Sequence, residues 1–206
     1  AYGDAGMVIT QSADMAERMR RLRNHGSPER YLHTEIGWNA RMDAIQAAVL
    51  RVKLKHIEEW NRQRRERAEL YDRLLAEAGL CSPPRTRASV TKRSSAAGAG
   101  TPRSAPAPVQ RLQTSPHAFH VFHQYVIRVE RRDELRKFLS ARGIGTEVYY
   151  PLPLHLQPVF AFLGYRKGDL PESERAGEEV LALPMFPELT EAEQRRVVQE
   201  IAEFYG

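Results

Sequence analysis

The head of one helix constrains this chain more than any other feature. The stretch Gly37-Trp38-Asn39-Ala40-Arg41-Met42-Asp43-Ala44-Ile45-Gln46-Ala47-Ala48-Val49-Leu50 turns an irregular loop into the head of the longest helical pattern in the sequence. Ile45, Val49, Val52 and Trp60 recur near one face, while Arg51, Lys53, Lys55, Glu58 and Glu59 occupy the remainder. Leu70, Tyr71, Leu74 and Leu75 continue the pattern to Gly79, a residue suited to the left-handed position past a helix end. The spacing predicts a linking helix from about Met42 to Ala78, roughly 55 Å long, or a shorter, bent or broken version of it. Ahead of it, Asn39 stands where the first free amides of a helix point outward. A side-chain amide there, with the helix dipole, can hold an anion such as phosphate. The alternative is a plain N-cap or turn asparagine.

A net charge of +5 raises the question of nucleic acid, and the location of the charge answers it. Between Cys81 and Ala118 stand Arg85, Arg87, Lys92, Arg93, Arg103 and Arg111 with no acidic residue, which leaves a net −1 for everything else. The same stretch holds six prolines and many Ser, Ala and Gly. Residues 81–118 therefore read as a disordered basic insertion, too poor in apolar groups to offset the entropy of ordering. A solvated insertion is the expectation, and a nucleic-acid or membrane-surface tether the alternative. No apolar run reaches the length of a membrane span, nothing at the start has the order of a signal peptide, and Cys81 stands alone, so a soluble protein of the reducing cytoplasm is expected.

Around the long helix the remaining elements follow in order. Met7-Val8-Ile9-Thr10 reads as a short strand after a turn at Gly3 and Gly6. Ser12 or Asp14 can cap a helix through Met15, Met19 and Leu22, and residues 24–36 form a loop. His120 to Val129 reads as a strand. On a strand, His120 and His123 would point to opposite faces, which argues against a metal site. Arg131 to Arg142 is helical and stops at Gly143, and Thr146 to Tyr150 reads as a second strand. Pro151 and Pro153 force an extended path, Val159 to Leu163 is a short helix ended by Gly164, and Glu172 to Leu183 a helix stopped at Pro184. Thr190 to Tyr205 is a last helix, with Thr190 and Glu193 as a capping box.

Five segments carry a resemblance. Gly37 to Leu50 is similar to the G-x-N-x-R-x-D-x-x-Q-A-A-x-L signature of the DegT/StrS-type, pyridoxal phosphate (PLP)-dependent nucleotide-sugar aminotransferases of fold-type I. Ala1-Tyr2-Gly3-Asp4-Ala5-Gly6 resembles that family's A-x-G-D-G-G, with Ala5 in place of a glycine, and Arg23-Asn24-His25-Gly26 its R-N-H-G. His120-Val121-Phe122-His123-Gln124-Tyr125 resembles H-V-x-H-x-Y, and Tyr150 to Pro158 resembles Y-P-x-P-L-H-x-Q-P. The matches cover only the C-terminal half or so of the family.

The resemblance implies an α/β chain built as the C-terminal part of a fold-type I aminotransferase. Residues 1–41 would be a remnant of the large PLP-binding domain, 42–80 the linking helix and 119–206 the small C-terminal α/β domain. Asn39 would bond the PLP phosphate of a neighbouring subunit, with Gly3, Asp4 and Gly6 shaping the backbone beside the cofactor. Arg41, Tyr150 and His155 would serve the substrate, and a homodimer with a shared active site is implied. The Schiff-base lysine belongs to a K-N-L-G segment just before the one matching Ala1. None of Lys53, Lys55, Lys92, Lys137 and Lys167 lies in a setting that would lower an amine's pKa for that role. The expectation is a fragment of an enzyme that moves an amino group onto a nucleotide-linked keto-sugar, inactive alone. The alternative is a non-catalytic protein that dimerises with a full-length relative.

Overall fold

The computed structural model describes residues 2–81, 107–115 and 117–206. They fall into two compact units, Ala1–Glu58 and Glu59–Gly206. The first contains helix α1 (Ala13–Leu22) and helix α2 (Ala44–Leu54). Ser12 caps α1 by accepting from the Met15 amide at 3.3 Å. Met7, Val8 and Ile9 do not pair as a strand and are 70 % or more exposed, because no second strand lies among the described residues of this unit to receive them.

The long helix takes its broken form. α2 ends at Leu54, residues 55 and 56 turn through bonds of the i to i−3 kind (Lys55 N–H to Val52 O, His56 N–H to Lys53 O), and α3 (Ile57–Glu77) begins anew. α3 closes at Gly79 in the left-handed conformation, with the Leu80 amide reaching back to the Leu75 carbonyl.

In the second unit three antiparallel strands lie in the order β1 (Val109–Arg111), β2 (Tyr125–Val129), β3 (Val180–Leu183). Tyr125, Ile127 and Val129 alternate inward on β2. Against the sheet pack the buried residues of α3 (Leu70, Tyr71, Leu74, Leu75), of α4 (Arg132–Ala141) and of α6 (Glu191–Tyr205), with the short helix α5 (Pro171–Glu179) leading into β3. The Thr190–Glu193 capping box forms as expected.

Four expectations are corrected here. The stretch 81–118 is structured at both ends, since Cys81 is buried and Val109–Arg111 pairs with β2; residues 82–106 lie outside the described residues, and so does the idea of a basic tether. The helix expected over Glu172–Leu183 stops at Glu179 and the chain becomes β3. A continuous apolar run buried throughout is one that periodicity cannot tell from a buried helix. Thr146 to Tyr150 is no strand: Glu147 alone bridges Ala182 before Pro151 and Pro153 carry the chain away. His120 to Gln124 is not extended either, because Phe122 adopts φ 49° and its amide donates to His120 Nδ1 at 2.8 Å. Strand geometry therefore does not govern His120 and His123.

Candidate functional site

Two of the quoted segments interlock in the first unit. The end of α1 and the Gly37–Ala40 segment run antiparallel: Trp38 N–H donates to Leu22 O at 2.7 Å, His25 N–H to Trp38 O at 2.9 Å and Ala40 N–H to Arg23 O at 2.9 Å. Asn24 and Asn39 are bridge partners. Glycine is required on both sides. A Cβ at Gly37 would lie 2.2 Å from the Gly26 nitrogen, and one at Gly26, with φ +69°, would lie 1.7 Å from Glu35 O. Glu35 is itself held by Arg18 and Arg21 at 3.2 and 3.3 Å.

Asn39 is thus a bridge residue, not a helix cap. The N-cap of α2 is Asp43, whose carboxylate places negative charge at that helix start and disfavours an anion there. Four residues upstream, Asn39 and Arg41 form a polar pair. Arg41 Nε donates to Asn39 Oδ1 at 3.1 Å, which turns the amide NH2 away from the arginine and leaves it to donate outward. An amide donor and a guanidinium, both exposed, are held together on one edge. The segment before α1 reaches α2 at Gln46: Tyr2 N–H donates to Gln46 Oε1 at 2.7 Å, and a Cβ on Gly3, at φ +142°, would come within 3.3 Å of Gln46 Nε2. Gln46 is part of the quoted signature, and its sequence position alone does not show this contact. Asp4 is exposed, and Gly6 has open space where a side chain would go, so nothing local demands glycine there.

Tyr150 and His155 belong to the second unit and have different surroundings. A cleft of about 440 Å³ is lined by Tyr149 to Leu154, by Gln157 and by the α5 residues Ser173, Ala176 and Gly177. Tyr150 is 73 % exposed at this cleft, whereas His155 is not among its lining residues, is buried and bonds Glu174 at 2.9 Å. The imidazole of His155, expected to serve the substrate, is thus engaged with Glu174. The His155 imidazole, with the Gly168 amide, holds the Glu174 carboxyl below its usual range. Neither Glu174 nor Gly177 carried a sequence signal.

Residues 1–202 match the DegT/DnrJ/EryC1/StrS aminotransferase family. The chain belongs to that family. It is 49 % identical over 209 residues to the "Pleiotropic regulatory protein" of Geobacillus stearothermophilus, covering 100 % of this chain and 48 % of the relative. Against the dTDP-3-amino-3,4,6-trideoxy-alpha-D-glucose transaminase of Streptomyces venezuelae it is 39 % identical, covering 98 % and 46 %. Among solved structures, S. venezuelae DesV in complex with a ketimine intermediate superposes with a TM-score of 0.77 at 36 % identity, over 95 % of this chain and 45 % of that one. The chain spans about half the length of the curated relatives it matches. For a DegT-family chain the fold is the expected one, the mixed helix-and-strand C-terminal part of a fold-type I aminotransferase. Among the described residues no helix is long and apolar enough to cross a membrane.

Proposed function

We propose that this chain serves as the C-terminal part of a PLP-dependent aminotransferase acting on a nucleotide-linked keto-sugar in amino-sugar biosynthesis, in the cytoplasm. The observation that carries the reading is the Asn39–Arg41 pair, a fixed amide donor beside a fixed guanidinium on the interlocked Gly26/Gly37 frame. That donor set suits a phosphate monoester, which prefers charge-assisted and amide hydrogen bonds together. The cofactor, when bound, supplies the electron sink for moving the amino group. This chain's part is to hold its phosphate with Asn39, to place Arg41 beside the negatively charged substrate or cofactor, and to seat the Gly3 segment against Gln46. Asp4 and Gly6 fall in that same segment. The Tyr150 cleft is the candidate place for the sugar nucleotide, the Tyr150 ring offering a flat apolar face to a sugar. A second subunit completes the arrangement, so the working form is a homodimer. The lysine that carries the cofactor is not supplied here: Lys53, Lys55, Lys137 and Lys167 are exposed, and Lys92 lies outside the described residues.

Titration of the isotope-labelled chain with PLP tests this. PLP should shift the Asn39 side-chain amide and the Arg41 Nε–H, and pyridoxal without its phosphate should not; Asn39→Ala should remove the response. No shift at either residue would overturn the phosphate role. Turnover of a dTDP-keto-hexose by this chain alone would overturn the missing-lysine reading. A second reading, a non-catalytic regulator that pairs with a full-length relative, draws on the printed name of the Geobacillus protein. It predicts mixed dimers that form equally well with the Asn39→Ala variant.

A further inference from the structure

His155 lies in a quoted segment, yet its side chain is 5 % exposed and that of its partner Glu174 is 11 % exposed. A carboxylate can only accept, so the His155 Nε2–H donates to Glu174 Oε1 at 2.9 Å. The Glu174 oxygens also accept the Gly168 amide, at 2.8 and 3.0 Å. The Tyr165 ring stands edge-on to the imidazole, 6.2 Å between centroids. One carboxylate therefore ties together the strap of residues 149–157, the loop of residues 164–170 and α5.

One helical turn along, Gly177 lets the strap's backbone rest on α5. A Cβ there would stand 3.2 Å from Pro151 O and 3.4 Å from Tyr150 O. The far end of α5 is anchored in turn by buried Arg132, whose Nη1 donates to Val180 O at 2.9 Å and whose Nη2 donates to Gly177 O at 3.1 Å. Positions 174 and 177 share one face of α5. The strap is thus seated by bare backbone at Gly177 and clasped by a charge-assisted bond at Glu174.

We propose that His155 is a positioning residue: through Glu174 it clasps the strap that carries Tyr150, so that the cleft is formed before a sugar nucleotide enters. The inference rests on the reading of the Tyr150 cleft given above. Its physical content is preorganisation, since a strap already fixed loses little conformational freedom when ligand binds.

The test uses the full 206-residue chain, with thymidine diphosphate-glucose as the probe and NMR as the readout. His155→Ala should weaken probe binding about tenfold, the scale of one hydrogen bond to a charged group. His155→Gln keeps an amide N–H directed at Glu174 and should restore binding to within about twofold of the parent chain. The parent should show a downfield Nε2–H resonance that Glu174→Gln removes. In His155→Ala the Gly168 and Gln157 amides should exchange faster while those of β2 and α6 do not. Unchanged binding with unchanged Gly168 exchange in His155→Ala would overturn the proposal. Faster exchange across β2 and α6, or no rescue by Gln, would also overturn it, by making His155 a general support of the fold. If the parent chain gives no shift at Tyr150 with the probe, the cleft reading fails, and the Gly168 exchange and Nε2–H resonance decide the clasp alone.

Discussion

Residues 2–58 and residues 59–206 keep their shape by different means. In the first stretch Gly26 is the one buried residue among those described, and Trp38, Ile45 and Val52 are 64, 76 and 61 % exposed. Order there comes from backbone pairing between the end of α1 and the Gly37–Ala40 segment, and from glycines that allow chains to touch. In the second stretch Ile127, Leu135, Leu181 and Ile201 are fully shut away between the sheet and its helices. The contrast teaches that a segment can be held in register by backbone pairing without a core, while α2 leaves Ile45 and Val52 exposed.

Substitutions can break that contrast, and the largest effect belongs to the core. Ile127→Ala should cost about 2–5 kcal/mol in urea unfolding of the second unit, as for other fully buried branched residues. Gly37→Ala should act on the other side of the division. Its Cβ would collide with backbone, so the Trp38 and Ala40 amides should lose exchange protection while the second unit's unfolding midpoint stays put. A moved midpoint would show that the two units are not separately held. Tyr125→Phe removes a hydroxyl that donates to Asp72 at 2.6 Å, in a group whose own pKa is pushed well up by burial and then by Asp72. Loss of a bond to a charged acceptor predicts about 1.5–3 kcal/mol in the same unfolding measurement.

Smaller effects sharpen the comparison further. The Glu174 carboxyl is held below its usual range by His155 and Gly168, so its contribution is present above the ordinary carboxylate pKa and is lost as pH falls through the lowered value. An acid titration of stability should therefore show a shallower acid limb in Glu174→Gln than in the parent chain, and identical limbs would sink the assignment. Smallest of all, Ile45→Ala on the open face of α2 should change stability by no more than about 0.5 kcal/mol. A larger loss would mean that this face is covered in solution.

Local chemistry was legible wherever a residue acts on its immediate neighbours. Ser12, one of the two candidates, caps α1, Thr190 caps α6 as expected, and Gly79, Gly143 and Gly164 take the left-handed conformation past helix ends. Pairing partners were not legible. Val180–Leu183 and Val109–Arg111 become strands because β2 lies between them, whereas Met7–Thr10 has the composition of a strand and no strand neighbour among the described residues. At the candidate site, the sequence pattern set Asn39 at the head of the helix, whereas the structure pairs it with Asn24 four residues before the cap. The bond from Arg41 that aims its amide was not legible, nor was the burial of His155 against a glutamate nineteen residues away.

By itself the sequence determined the family and the caps and glycine stops of several helices, because caps, glycine turns and ordered motifs act over a few neighbouring residues. Only the tertiary structure decided that the long helix breaks at residues 55 and 56, that a run of four apolar residues is a strand, and that Tyr150 and His155 face opposite environments. Those outcomes depend on which distant segment covers or pairs with each stretch, and burial and hydrogen-bond partners are set in space across long separations in the chain.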